Sequence, residues 1–391
     1  MGEETLKKRW GALPYSLLDV KDELKKKSKT KPPVLMKSDL TTEEKTIIRH
    51  IEERTRQHNK NNVTRTQSYL DFYNRHPEIE WALLGHMVSR NGGWNMTDLK
   101  GELYTRLLSE KEQHTFFSFL ERGNWLIFQD VYPQFLLYEQ SVKRKENLFY
   151  LLPFFNVSTF METMWNHFWR KGDRYQLAIA TVINEQNYIE NRVIQNDYFK
   201  KTVLQTMNFQ LYDFFRFNHI LFPYYKDGRN QEVGLLGNTL QHFTSLHERI
   251  MLGKRLYALL FRQERLSDIV RWASDHPHTG SRKDYWPHLF YDVNETFSRA
   301  IYKRRLKNCQ LRKGAGRLYS PPLVYAWKEV EHEEAKPGDW FEDWQIIDYL
   351  IDKNETINGE IKDEYCKTLE AIELAILAKS AVLLREEDED G

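Results

Sequence analysis

Only two of the 391 residues are cysteine, Cys309 and Cys366. That number excludes a disulfide framework and a thiolate zinc site, and it points to a reducing compartment. Long apolar runs are scarce too. The strongest, Ala371 to Leu384, is interrupted by Glu373, Lys379 and Ser380, and it is too short to cross a bilayer as a free helix. Near the start, Lys7-Lys8-Arg9 leads to Trp10, Pro14 and Asp19 rather than to the apolar stretch of an export signal. No membrane contact is expected, and the expected location is cytoplasmic. Charge of one sign is also missing, because 57 Lys and Arg stand against 56 Asp and Glu for a formal net charge of +1. This disfavours both a nucleic-acid binder driven by bulk charge and an acidic disordered solvator.

The familiar catalytic motifs are missing as well. No Gly-x-Ser-x-Gly elbow occurs. The run Arg312-Lys-Gly-Ala-Gly-Arg317 lacks the Gly-Lys-Ser/Thr end of a phosphate loop and has no strand before it. A di-iron helical site needs two Glu-x-x-His pairs plus two more glutamates, and the one such pair here, Glu329 to His332, sits in a run of exposed-looking acids. No cofactor is expected.

Aromatic residues are abundant, with 22 Phe, 21 Tyr and 11 Trp, and 41 % of the chain is apolar. Each ring buries a large apolar area, so this content reads mainly as core volume. Charge is balanced only on average. Residues 1–66 carry net +6, the stretch from Arg299 to Arg317 has eight basic residues and no acid, and residues 329–391 carry net −14.

Residues 1–38, with Lys25-Lys26-Lys27 and Pro32-Pro33, read as a basic, mobile leader outside the fold. A helical body is expected over 39–330, and an acidic helical region over 331–391 that packs back on it. Helix signals include a capping box from Thr41 to Glu44 and a break at His76-Pro77. Helical spacing follows over 110–120, 125–139, 158–170, 175–203, 235–261, 266–273, 296–311, 342–351 and 363–386. Alternating apolar and polar runs are nearly absent, so the expected class is all-α, a large irregular helical bundle.

One stretch reads as a helix stopped by two glycines: His86-Met-Val-Ser-Arg-Asn-Gly-Gly-Trp-Asn-Met-Thr-Asp98. Arg90, Asn91, Gly92 and Gly93 would then form a turn whose backbone N–H groups can hold an anion, against the plainer reading as helix punctuation. Together with Ser320-Pro-Pro-Leu-Val-Tyr-Ala-Trp327, it resembles the YppC-like family of uncharacterised proteins from spore-forming bacilli, over most of the chain beyond about Thr41. That resemblance implies a bacterial cytoplasmic setting and no particular activity.

Two other groups of residues hold chemistry. His276 and His278, with His288 further on, could supply imidazoles to zinc or iron, though the spacing fits no metal motif and a surface loop is the plainer reading. On the helix expected over 175–203, Asn184, Asn187, Asn191 and Gln195 fall on one face, with Glu185 and Tyr188 beside them. Asparagine is a poor helix former, so such a strip needs hydrogen-bonding partners. It serves either a helix-to-helix network or a ligand pocket in which Glu185, or His247 on a later apolar stripe, acts as an acid or base.

The function expected from the sequence is a binding or scaffolding protein whose partner is an unknown small polar ligand or another protein. One alternative is a metal-dependent hydrolase built on His276, His278 and His288. The other is a nucleic-acid contact through 299–317, disfavoured by the acidic region that competes for the same charges.

Overall fold

Side-chain caps set several helix starts. Thr41 Oγ1 accepts from the Glu44 amide at 3.2 Å while the Glu44 carboxylate accepts from the Thr41 amide at 2.6 Å. Ser109 and Glu112 repeat the arrangement, and Asn61, Ser158, Asp173 and Ser245 each cap the helix that follows them. The computed structural model describes residues 13–30, 36–206, 219–226, 232–293, 302–352 and 357–389, with side chains to 381 in the last span.

Ten longer helices run through these residues: α1 (Leu18–Lys27), α2 (Thr42–His58), α3 (Asn62–Arg75), α4 (Trp81–Asp98), α5 (Glu110–Arg144), α6 (Thr159–Lys171), α7 (Arg174–Ile189), α8 (Leu246–Phe261), α9 (Leu266–Asp275) and α10 (Lys362–Glu389). The fold is mostly helical. It departs from the all-α expectation in small strand pieces, chiefly the antiparallel pair β1 (His219–Tyr225) and β2 (Val233–Thr239), in register from His219 opposite Thr239 to Tyr225 opposite Val233. The apolar spacing over 235–239 that suggested a helix belongs to β2, whose buried Leu235 and Leu236 face the core.

Two large apolar clusters fill most of the described interior, beside a small third one around Met251 and Ile351. The larger centres on rings such as Trp81, Phe128, Phe135 and Trp165, contributed by α4, α5 and α6. The smaller gathers Phe116, Phe117, Phe119, Tyr188 and Val193 with Trp327, whose ring stacks on Phe117 at 4.1 Å.

Several expected boundaries move for identifiable reasons. Helix α4 runs straight through Gly92-Gly93 instead of stopping there. A Cβ on Gly92 would lie 2.9 Å from Asn124 Oδ1, and one on Gly93 would overlap Asn62 Oδ1 and His278 Nε2. The glycines therefore permit close packing of the helix and do not end it. The two helices expected over 110–139 are one, α5. The helix expected over 175–203 ends at Ile189 and continues as π-helical turns at Glu190–Ile194 and Lys200–Leu204. The expected helix at 342–351 is a 3₁₀ turn, Trp344–Leu350. Of the one expected over 296–311, residues 296–301 lie outside the described residues, and the rest forms the short hairpin Leu306–Lys307 with Gln310–Leu311.

The acidic end is fastened to the basic stretch. Glu373, fully buried, accepts from the Tyr302 hydroxyl at 2.8 Å and from the amides of Arg305 and Leu306 at 2.6 and 3.1 Å. Arg304 reaches Glu370 at 3.0 Å, and Arg305 pairs with buried Glu102. These arginines are thus committed within the chain, which leaves less of the 299–317 stretch for phosphate. The two cysteines, read from sequence as pointing to a reducing compartment, are bonded to each other and tie the 306–311 hairpin to α10. Closing a 57-residue separation constrains the unfolded chain by about 4 kcal/mol in a loop-entropy account.

The basic leader needs the largest correction. Residues 1–12 and 31–35 lie outside the described residues, but Leu17, Val20 and Leu24 are fully buried in the larger cluster. They fall at i, i+3 and i+7 on one face of α1 and its entry turn, and the lysines occupy the other faces and the C-terminal end, where the helix dipole favours them. Lys27 bonds the Thr163 hydroxyl at 3.1 Å and pairs with Glu162 at 3.6 Å, which anchors α1 on α6. The docked helix should matter to stability: Leu24→Ala should lower it by about 2–4 kcal/mol in urea denaturation. An unchanged midpoint would show that α1 does not hold to the body.

Candidate functional site

The carboxamide strip on α7 does not survive as one face, because the π-helical turn after Ile189 widens the spiral and rotates everything beyond it. Asn184 is fully buried. Asn187 is half-buried, and its Nδ2 donates to the Ile183 carbonyl of its own helix at 2.7 Å. Asn191 and Gln195 are exposed, and Gln195 bonds Glu190 at 2.8 Å. Tyr188 is buried in the smaller cluster, with the Arg192 guanidinium 4.0 Å above its ring. His247 lies elsewhere, with its Nδ1 3.1 Å from the Tyr349 hydroxyl. Asn191 borders a separate cleft of about 670 Å³, where Arg122 and Arg192 hold backbone carbonyls of the 333–338 segment.

Asn184 is the centre of a packing network. It donates to Asp130 Oδ2 at 2.5 Å and accepts from the Ser158 hydroxyl at 2.7 Å and from the Trp340 indole at 2.8 Å. Gln134 bonds the same Asp130 oxygen at 3.0 Å and accepts from the Trp165 indole at 2.8 Å. Burial pushes the Asp130 carboxyl up to about 7, against the lowering effect of these bonds.

Glu185, the next residue, points the other way, into a pocket of about 210 Å³ where the two apolar clusters meet. Tyr69 of α3, Trp81 of α4, Phe119 of α5 and Phe243 supply its rings, and Ile189, Val193 and Ile194 come from the end of α7 and the π turn. Among the described residues, the Glu185 side chain keeps one bond, from Gln186 Nε2 at 3.2 Å. Burial, with a smaller contribution from the Asp130 charge, pushes its carboxyl up to about 8. Two guanidiniums border the pocket, and both are committed elsewhere. Arg65 holds Glu121 at 2.5 Å and Asn59 at 3.2 Å. Arg249 donates to Gln186 at 2.9 Å, to the Phe243 carbonyl at 2.8 Å and to Glu190. Gly123 also borders the pocket, and a Cβ there would meet nothing within 4 Å.

The proposed anion turn is the middle of a buried helix. Arg90 donates to His86 Nε2 at 2.8 Å and to the carbonyls of Ala273 and His276. Since His86 Nδ1 lies 2.8 Å from the Thr66 carbonyl, that nitrogen carries the proton, and burial beside Arg90 keeps the ring neutral. Asn91 exchanges two bonds with the Leu221 backbone, at 2.9 and 2.8 Å, and so anchors β1. These contacts leave Arg90, Asn91, Gly92 and Gly93 closed to an anion.

Nor do the three histidines converge on a metal. His276 stacks on Trp272 at 4.9 Å, and buried His278 bonds Asn62 at 2.8 Å with its Nδ1 3.5 Å from Asp284. His288 is exposed. Among the described residues, no group of three or more His, Cys, Asp or Glu gathers to hold a metal ion.

Of the residues singled out from the sequence, Glu185 borders the pocket and Asn184 does not, and the pocket rings and Arg249 were not among the candidates. On α8, Arg249, Leu252, Gly253 and Leu256 follow helical spacing along the pocket wall, a stripe offset from His247. A stripe of that kind has the same spacing whether it faces a pocket or a filled core.

The buried Asp130 should leave a signature in pH. The native carboxyl titrates near 7 and the unfolded one near 3.8, so the native state binds the extra proton between those values. Stability therefore falls as pH rises through this range, by up to about 1.4 kcal/mol per pH unit. Asp130→Asn should gain on the parent between pH 5 and pH 8 in urea denaturation. A constant difference at both values would mean that the carboxyl keeps its charge.

Comparison with known proteins agrees with the likeness carried by the 86–98 and 320–327 motifs. No solved structure matches the chain. It is 45 % identical over 238 residues to the uncharacterised protein YppC of Bacillus subtilis strain 168, covering 61 % of this chain and 72 % of that protein. Since residues 57–366 match its pattern, the chain belongs to the family described as "Protein of unknown function (DUF2515)".

Proposed function

We propose that the protein binds a small, largely apolar molecule in the pocket between α3, α4, α5, α7 and α8. The observation that carries this reading is the pocket's construction: among the described residues, mostly aromatic and aliphatic walls around one carboxyl, Glu185, with one hydrogen bond, from Gln186. Pockets of this kind, mostly apolar with a few placed polar groups, are the usual form of small-molecule sites. Its size suits the reading, since an apolar cavity of about 150 Å³ already admits benzene. Membership of a family of unknown function leaves the ligand to be named by chemistry.

Scaffolding through an exposed surface is the alternative reading, and exposed Val324 and Tyr325 favour it. The two readings part at Gly123. Gly123→Phe should place a ring in the pocket and abolish binding of small arenes such as toluene, followed by ligand-observed NMR. Gly123→Ala should leave room for them and raise stability by about 0.5–1 kcal/mol, because alanine replaces glycine inside a helix. If toluene binds the parent and Gly123→Phe equally, the pocket is not the site.

A further inference from the structure

We propose that the pocket's ligand is a small primary amine with an apolar body, bound as an ammonium against an ionised Glu185. This rests on the pocket being a ligand site and names what occupies it. Among the described residues, the walls hold one acid, and the charges of the two basic groups in them are already paired with other acids. Arg65 on α3 is engaged with Glu121 and Asn59, and Arg249 on α8 with Glu190, Gln186 and the Phe243 carbonyl. The other ionisable groups facing Glu185 are Tyr69 on α3, held protonated by burial, and Asp130 on α5, whose charge opposes that of Glu185. An anionic ligand would thus meet a carboxyl and two guanidiniums whose charges Glu121 and Glu190 already balance, whereas an ammonium supplies the missing counter-charge. The rings of Tyr69, Trp81, Phe119 and Phe243 add to the preference, because their faces attract cations.

Protons balance as follows. At neutral pH the empty pocket holds Glu185 as the acid, since burial pushes its carboxyl up to about 8, and the amine in solution carries its own proton. Forming the ammonium–carboxylate pair therefore releases the Glu185 proton to the buffer. Affinity should rise about tenfold per pH unit below pH 8 and level off above it. A neutral ligand of the same shape releases no proton and shows no such slope.

Calorimetry with benzylamine, cyclohexylmethylamine and hexylamine against their matching alcohols, between pH 6 and pH 9, tests the proposal. The parent should bind at least one amine tenfold or more tighter than its alcohol at pH 8. In Glu185→Gln, checked for an unchanged thermal transition, the amine should lose that advantage and its pH slope while the alcohol binds as before. Alcohols that bind as tightly as the amines, or an amine slope that persists in Glu185→Gln, would overturn the ligand class and leave the pocket as a site. Binding of neither set to the parent would overturn both. Should Glu185→Gln fail to fold, Gly123→Phe takes its place, and amine binding that survives the blocked pocket overturns the proposal.

Discussion

Helix α4 is buried on both sides although much of its surface is polar, and that constraint organises the molecule around it. A buried donor or acceptor without a partner costs about 1–3 kcal/mol, so each of these side chains must be matched by a group brought from elsewhere in the chain. Thr66 answers His86, the 273–276 backbone answers Arg90, β1 answers Asn91, and the Gly280 carbonyl answers Thr97. At the end of the helix, Asp98 receives Arg282 at 2.7 Å. A helix with apolar residues all round would have packed in many orientations. This one accepts few, because each polar group selects a particular neighbour.

Partner selection by polar groups also explains how much of the fold was legible in the sequence. Local signals came through well: the Thr41 capping box and the His76-Pro77 break act within a few residues of themselves. Gly92-Gly93 was misread because its role is set by Asn62, Asn124 and His278, which a linear reading cannot place beside it. The strip from Asn184 to Gln195 assumed a uniform spiral, and one π-helical turn was enough to separate its ends. The lysines before residue 30 hid three apolar residues whose spacing was visible but whose docking surface, on α6, begins well over a hundred residues later.

Asn184 and Glu185 show how adjacent positions on one helix come to serve different purposes. Asn184 faces a filled space and is bonded on every side, so its contribution is rigidity. Glu185 faces an unfilled space, where the same burial that stiffens its neighbour keeps a carboxyl protonated near neutrality. Both sit just before the π turn, which displaces the following residues and leaves the pocket wall to Ile189, Val193 and Ile194.

The docking of α1 has a consequence for the order in which the molecule can be completed. Its buried residues are made well before their seat, which is formed by α6 and by the turn Trp344–Leu350, whose Trp344 ring lies under Lys21 and Lys25 at 5.2 and 5.4 Å. Contacts so distant along the chain form late, since the loop they close is long. During synthesis, Leu17, Val20 and Leu24 must therefore wait until residues 344–350 have been made, flanked by lysines that keep the waiting segment dissolved. Helix α1 is then a clasp that closes late, and its seating reports that α6 and the 344–350 turn are in place.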